Sequence, residues 1–137
     1  MRKPITLLFA LLFGLILPAL PALAHHAFAT EFDLKKPVTF KGFVTKIAWT
    51  NPHAWFYVNV KDEKTGQIEN WGFELGSPAA LWGLGWSPTS MKIGEEVVVE
   101  GSLARDGSKK VNARNVTIVA TGKKFGAASS GENQQQP

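Results

Sequence analysis

Cysteine is absent from the 137 residues. That excludes a disulfide framework, a thiol nucleophile and a thiolate metal site, and leaves the fold to a core of Trp, Phe and Val. Charge is thin, with 19% of residues charged, and the lysines are scattered apart from the pairs Lys109-Lys110 and Lys123-Lys124. Histidine occurs three times, as His25, His26 and His53, and no His-x3-His spacing marks a helical metal site. No serine sits in a nucleophile elbow: Gly76-Ser77-Pro78 lacks the flanking glycine pattern and reads as a helix cap. Glu95 and Glu96 are neighbours at a strand entry, so their side chains point to opposite faces and cannot work as a pair. Glu74 is explained as well by a salt bridge as by catalysis. With 45% hydrophobic residues the chain is neither a disordered tail nor a multi-span membrane protein.

The apolar content is unevenly placed. Arg2 and Lys3 precede an apolar run from Ile5 to Leu17, and Pro18 and Pro21 stand ahead of Ala22-Leu23-Ala24. This is the pattern of a cleavable secretory signal peptide, and the run is shorter than the roughly 20 residues a spanning helix needs. Cleavage after Ala24 predicts a periplasmic or secreted protein with no stable membrane insertion. The formal charge of +4 suggests nucleic acid, but removing Arg2 and Lys3 from 15 basic residues, against 11 acidic ones, leaves +2. With scattered lysines and an export signal, nucleic acid is not expected as a partner.

Past the leader, His25 to Lys36 reads as a polar and aromatic arm. Val38 and Phe40 then alternate on even positions, and Phe43, Thr45, Ile47 and Trp49 on odd ones. The slip of one residue predicts a β-bulge at Gly42 in a long first strand. After the Thr50-Asn51-Pro52 turn, Ala54, Phe56, Val58 and Val60 share one face of a second strand and Trp55 and Tyr57 the other. Asp62 to Gly66 is a hairpin loop, Ile68 to Leu75 a third strand, and Ser77-Pro78 caps a short helix that Gly85 ends. A fourth strand carries Val97, Val99 and Leu103, and a fifth runs from Val111 to Thr121. The expected fold is all-β: a small five-stranded OB-like barrel with one short helix between strands 3 and 4. The expected organisation is a signal peptide over 1–24, an arm over 25–36, the barrel over 37–125 and a disordered tail over 126–137.

Three segments together, HHAFATEFD at the mature start, VTKIAWTNPHAWFYVNV across the first hairpin and WGFELGSP before the helix, resemble a family of small exported bacterial proteins of unknown function. The resemblance runs from His25 to about Phe125 and implies an exported single domain. It supplies no catalytic residues.

The histidines carry the sharpest chemistry. Cleavage would make His25 the first residue, so that its α-amine and imidazole, which titrate near about 8 and 6.5, can chelate one metal ion. Nitrogen ligands favour Cu(II) over Zn(II). His53 would add a third nitrogen and complete a histidine brace, with His26, Glu31 and Asp33 as further candidates. A competing chelate uses the amine, the amide of residue 26 and the His26 imidazole, without His53. Against both stands the reading that His25 and His26 are polar residues on a loose arm and that His53 holds its turn. A second class of function needs no metal: a ligand- or partner-binding, non-catalytic module whose candidate surface is Trp55, Tyr57 and Trp86. The rival to that surface is coverage of the same face by the arm and the helix region. The expected protein is a monomer that binds a small ligand or an unidentified protein, with copper as the one cofactor the residues suggest.

Overall fold

The computed structural model describes residues 30–129. The predicted signal peptide, His25 and His26 lie outside the described residues, as does the chain beyond Ser129. The elements are β1 (Phe32–Ala48), β2 (Trp55–Lys61), β3 (Ile68–Glu74), α1 (Pro78–Gly83), β4 (Glu96–Ala104), β5 (Lys110–Ile118) and β6 (Lys124–Gly126). The protein is therefore all-β with a short helix between the third and fourth strands. Among the described residues no helix is long and apolar enough to cross a membrane.

Alternation sets the faces of β2. Phe56 and Val58 are fully buried, while Trp55 and Tyr57 between them are half-buried on the other side. The Asp62 carboxylate builds the turn into β3 by accepting from the Lys64 and Thr65 amides, both at 2.8 Å. These bonds, that from Thr65 foremost, hold the Asp62 carboxyl below its ordinary value. β3 then runs antiparallel to β2 from Lys61 opposite Ile68 to Trp55 opposite Glu74.

β1 is 17 residues long and serves two neighbours. Pro37 to Phe43 pairs with β4, and Gly42 to Ala48 pairs with β2. The register shift falls between Val44 and Lys46, three residues later than the predicted bulge at Gly42. Val44 therefore still faces the core at 2% exposure, and Phe43, expected on the apolar face, is 54% exposed. After the extra residue Thr45, Ile47 and Trp49 pack against the core. Gly42 has a different job: a Cβ there would lie 2.1 Å from the Asn59 carbonyl oxygen, so glycine permits the close approach of β2 where β1 contacts both neighbours.

The sheet order is β3-β2-β1-β4-β5-β6, and a parallel pairing of β3 with β5 closes the first five strands into a ring. Phe56, Phe73, Leu81, Val97, Val99, Val111 and Val116 fill it. The Ser77 side chain accepts from the Ala80 amide at 3.2 Å, and Pro78 opens α1, as the sequence predicts.

The sheet extends past both ends of the barrel expected over 37–125, and the fifth strand stops at Ile118, short of the expected Thr121. Phe32 to Lys36 belong to β1, because Phe32 packs with Ala104 and the Arg105 amide donates to the Glu31 carbonyl at 2.8 Å. At the other end Gly126 lies in β6, and Ala127 and Ser129 are buried instead of forming a loose tail. The Ala127 amide donates to the Arg114 carbonyl at 2.9 Å and its carbonyl accepts from the Gly76 amide at 2.7 Å, so this small-residue segment extends the sheet.

Candidate functional site

Residues opposite one another on paired strands project to the same side of the sheet. Trp55 stands opposite Glu74 and Tyr57 opposite Gly72, while Glu74 is in turn paired with Asn112 and Gly72 with Lys110. His53, two residues before Trp55, has the same parity. One surface across β2, β3 and β5 thus gathers an imidazole, a carboxylate and an amide at one end and two aromatic rings with lysines beside them.

At the first end, His53 Nδ1 is hydrogen-bonded to Glu74 Oε1, and Asn112 Nδ2 donates to Glu74 Oε2 at 3.2 Å. Glu74 and Asn112 are 7% and 4% exposed, whereas the His53 side chain is 39% exposed. The backbone around His53 is fixed by the bond from the Ala54 amide to the Gly76 carbonyl at 3.0 Å and from the Leu75 amide to the Ala54 carbonyl at 2.9 Å. An ionised carboxylate only accepts, so a neutral imidazole bonded to it carries its proton on Nδ1 and its lone pair on Nε2. This is how metal-binding or proton-transferring imidazoles are oriented by a carboxylate behind them.

Beside this end the rings of Tyr57 and Trp55 cover Gly72. A Cβ on Gly72 would lie 3.2 Å from Tyr57 Cε1 and 3.7 Å from Trp55 Cζ3, so the bare backbone lets both rings lie down on β3. They line a groove of about 390 Å³ together with Asn70, Ser108, Lys109 and Lys110. Lys109 bridges to Glu69 at 2.9 Å, and Lys46 Nζ is 5.3 Å from the Tyr57 ring centroid.

Among the sequence-predicted residues, Trp55 and Tyr57 share this groove and His53 stands next to it. Trp86 does not belong to the surface. It is 1% exposed, its ring lies tilted against Phe125 with centroids 4.5 Å apart, and it donates its Nε1 proton to the Gly126 carbonyl at 2.7 Å, because β6 gives it both an apolar neighbour and a polar partner. Asp33 is engaged by Arg105 at 3.4 Å and by the Lys35 amide, and Glu31 is exposed at the start of β1. Among the described residues no three His, Cys, Asp or Glu side chains are grouped to hold a metal ion. Sequence reasoning missed Gly72 and Asn112, and gave Glu74 a salt bridge without naming His53 as its partner. The β2–β3 hairpin register was the signal that would have set Glu74 opposite Trp55.

Residues 14–113 match the model of a family of unknown function (DUF6152). No curated protein and no solved structure matches the chain.

Proposed function

The chain belongs to the DUF6152 family, and we propose that it is an exported, periplasmic binding protein that holds Cu(II) between the mature N-terminal histidine and His53. The observation that carries this reading is the His53–Glu74–Asn112 chain, which bonds Nδ1 from behind and suits a neutral imidazole offering Nε2 to a metal. The His25 amine and imidazole would be the other two nitrogens, with His26 as the rival local ligand.

For the fold, we propose an OB-type barrel. The ring order β1-β2-β3-β5-β4, its parallel β3–β5 pairing and the helix after β3 support that assignment. In such barrels the face of strands 2 and 3 is the ligand face.

A second reading dispenses with metal and takes the Trp55–Tyr57 groove as the binding surface. The observation favouring it is that both rings lie over Gly72 and remain half-exposed. One titration separates the two. Processed protein beginning at His25 is titrated with Cu(II) beside a form with one extra N-terminal alanine and a His53→Ala variant. The brace predicts weaker binding by both altered forms. Equal, weak binding by all three overturns it, and loss with the extra alanine alone assigns the metal to the local His26 chelate.

A further inference from the structure

We propose that the groove between Trp55 and Lys110 binds an acidic polysaccharide, specifically a polyuronate chain. The proposal rests on the second reading above and is independent of copper.

Three features point to this chemistry. The first is the aromatic pair. A pyranose ring presents a flat face of C–H groups, which stacks on an aromatic ring, and the bare Gly72 backbone lets Trp55 and Tyr57 lie as adjacent surfaces along the strand. The second is charge. Lys46 and Lys110 are exposed and make no salt bridge with a described residue, whereas the charge of Lys109 is offset by Glu69 at 2.9 Å. Lys46, 5.3 Å from the Tyr57 ring centroid, and Lys110, whose charge also acts on Asp106, flank the rings from β1 and β5 and suit the carboxylates of a polyuronate. The third is an acceptor. Both donors of the Asn70 amide are used, toward Asn59 Oδ1 at 2.8 Å and Thr45 Oγ1 at 3.0 Å, which leaves Oδ1 to accept from a hydroxyl.

A single-stranded nucleic acid is the competing occupant. Its affinity comes largely from many neutralised phosphates, and this groove and its rim offer two cations outside salt bridges, beside a glutamate. The outward amide oxygen of Asn70 also suits a sugar hydroxyl better than a phosphate oxygen.

The test is calorimetric titration of the exported, processed chain, in chelator, with a galacturonate tetramer, its fully methyl-esterified form and a thymidine tetranucleotide. The acidic tetramer is expected to bind about tenfold more tightly than the ester, with an affinity that falls as salt rises. Trp55→Leu is expected to lose about tenfold through the missing stack, by analogy with base stacking on aromatic side chains. The double variant Lys46→Gln/Lys110→Gln alters only exposed side chains, so it keeps the test valid if Trp55→Leu unfolds, and it should lose about as much. His53→Ala should bind the tetramer as the parent does, which separates failure here from failure of the copper reading. Equal binding of the ester, tighter binding of the nucleotide, unchanged affinity in the lysine double variant, or no binding at millimolar tetramer each overturns the proposal.

Discussion

Replacing Glu74 by glutamine probes the site most directly. The carboxylate accepts on both oxygens, from His53 Nδ1 on Oε1 and from Asn112 Nδ2 on Oε2. Glutamine offers one acceptor and one amino group, so one of the two donors must give way. If the amide oxygen keeps Asn112, its amino group faces Nδ1, the imidazole proton moves to Nε2, and the lone pair needed for a metal is lost. If the oxygen keeps His53, Asn112 must turn its own oxygen toward the new amino group. Either way two charge-assisted bonds become ordinary ones in a site where Glu74 is 7% exposed. The cost is about 1–2 kcal/mol. For a domain of this size that lowers Tm by at least about 4 °C. Removing the group that orients a ligand typically weakens metal binding about 10–100-fold. Nitrogen chemical shifts of the His53 ring, with a Cu(II) competition titration, read both effects. A Glu74→Gln protein that keeps the proton on Nδ1, melts with the parent and binds copper equally would refute the argument that Glu74 sets the imidazole.

Two further outcomes follow from packing and charge. Gly42→Ala places a Cβ 2.1 Å from the Asn59 carbonyl oxygen and 2.8 Å from Val58 Cγ1, and neither can move without opening β1 from β2. Urea unfolding should show a loss of more than about 3 kcal/mol, and a change under about 1 kcal/mol would mean that this register is wrong. Glu100 is held below its ordinary carboxyl value, first by the Lys124 ammonium at 3.0 Å and then by the Asn115 amide at 3.0 Å. Because its folded value is depressed, the stabilisation is complete above the ordinary value of 4.5 and is lost as pH falls through the folded one. The pair is partly exposed, so solvent screening limits its worth to under about 1 kcal/mol. Protection of the Phe125 amide, taken relative to its intrinsic exchange rate at each pH, should fall below that pH in the parent but show no such step in Lys124→Ala.

The faces of β2, the turn at Asp62 and the cap at Ser77 were legible in the sequence because each is set by residues within a few positions of one another. The bulge was not. A change of parity between Phe40 and Ile47 fits a bulge at any residue between them, and the size of Phe43 drew it toward the inside although it faces solvent. Trp86 misled for a related reason: its partner Phe125 stands in a three-residue strand too short to announce itself. Of the candidate site, His53, Trp55 and Tyr57 could be read from local alternation. The link from Glu74 to Asn112 spans 38 residues and exists only because β3 and β5 run side by side, so no local pattern encodes it.

That side-by-side pairing is short. It runs from Gly72 opposite Lys110 to Glu74 opposite Asn112, whereas β1 and β4 are matched over a longer continuous stretch. The residues at this closing seam are also those of the proposed binding surface. A seam with few backbone bonds opens before the rest of the sheet. A molecule touching Tyr57 or His53 on one side and Lys110 or Asn112 on the other would bind only the shut ring, and so would hold it shut by mass action. Occupancy should therefore be readable away from the ligand, as slower exchange of the Gly72 amide, whose bond to the Lys109 carbonyl at 2.9 Å crosses the seam. Recognition at the proposed groove and the closing of the ring would then be one equilibrium.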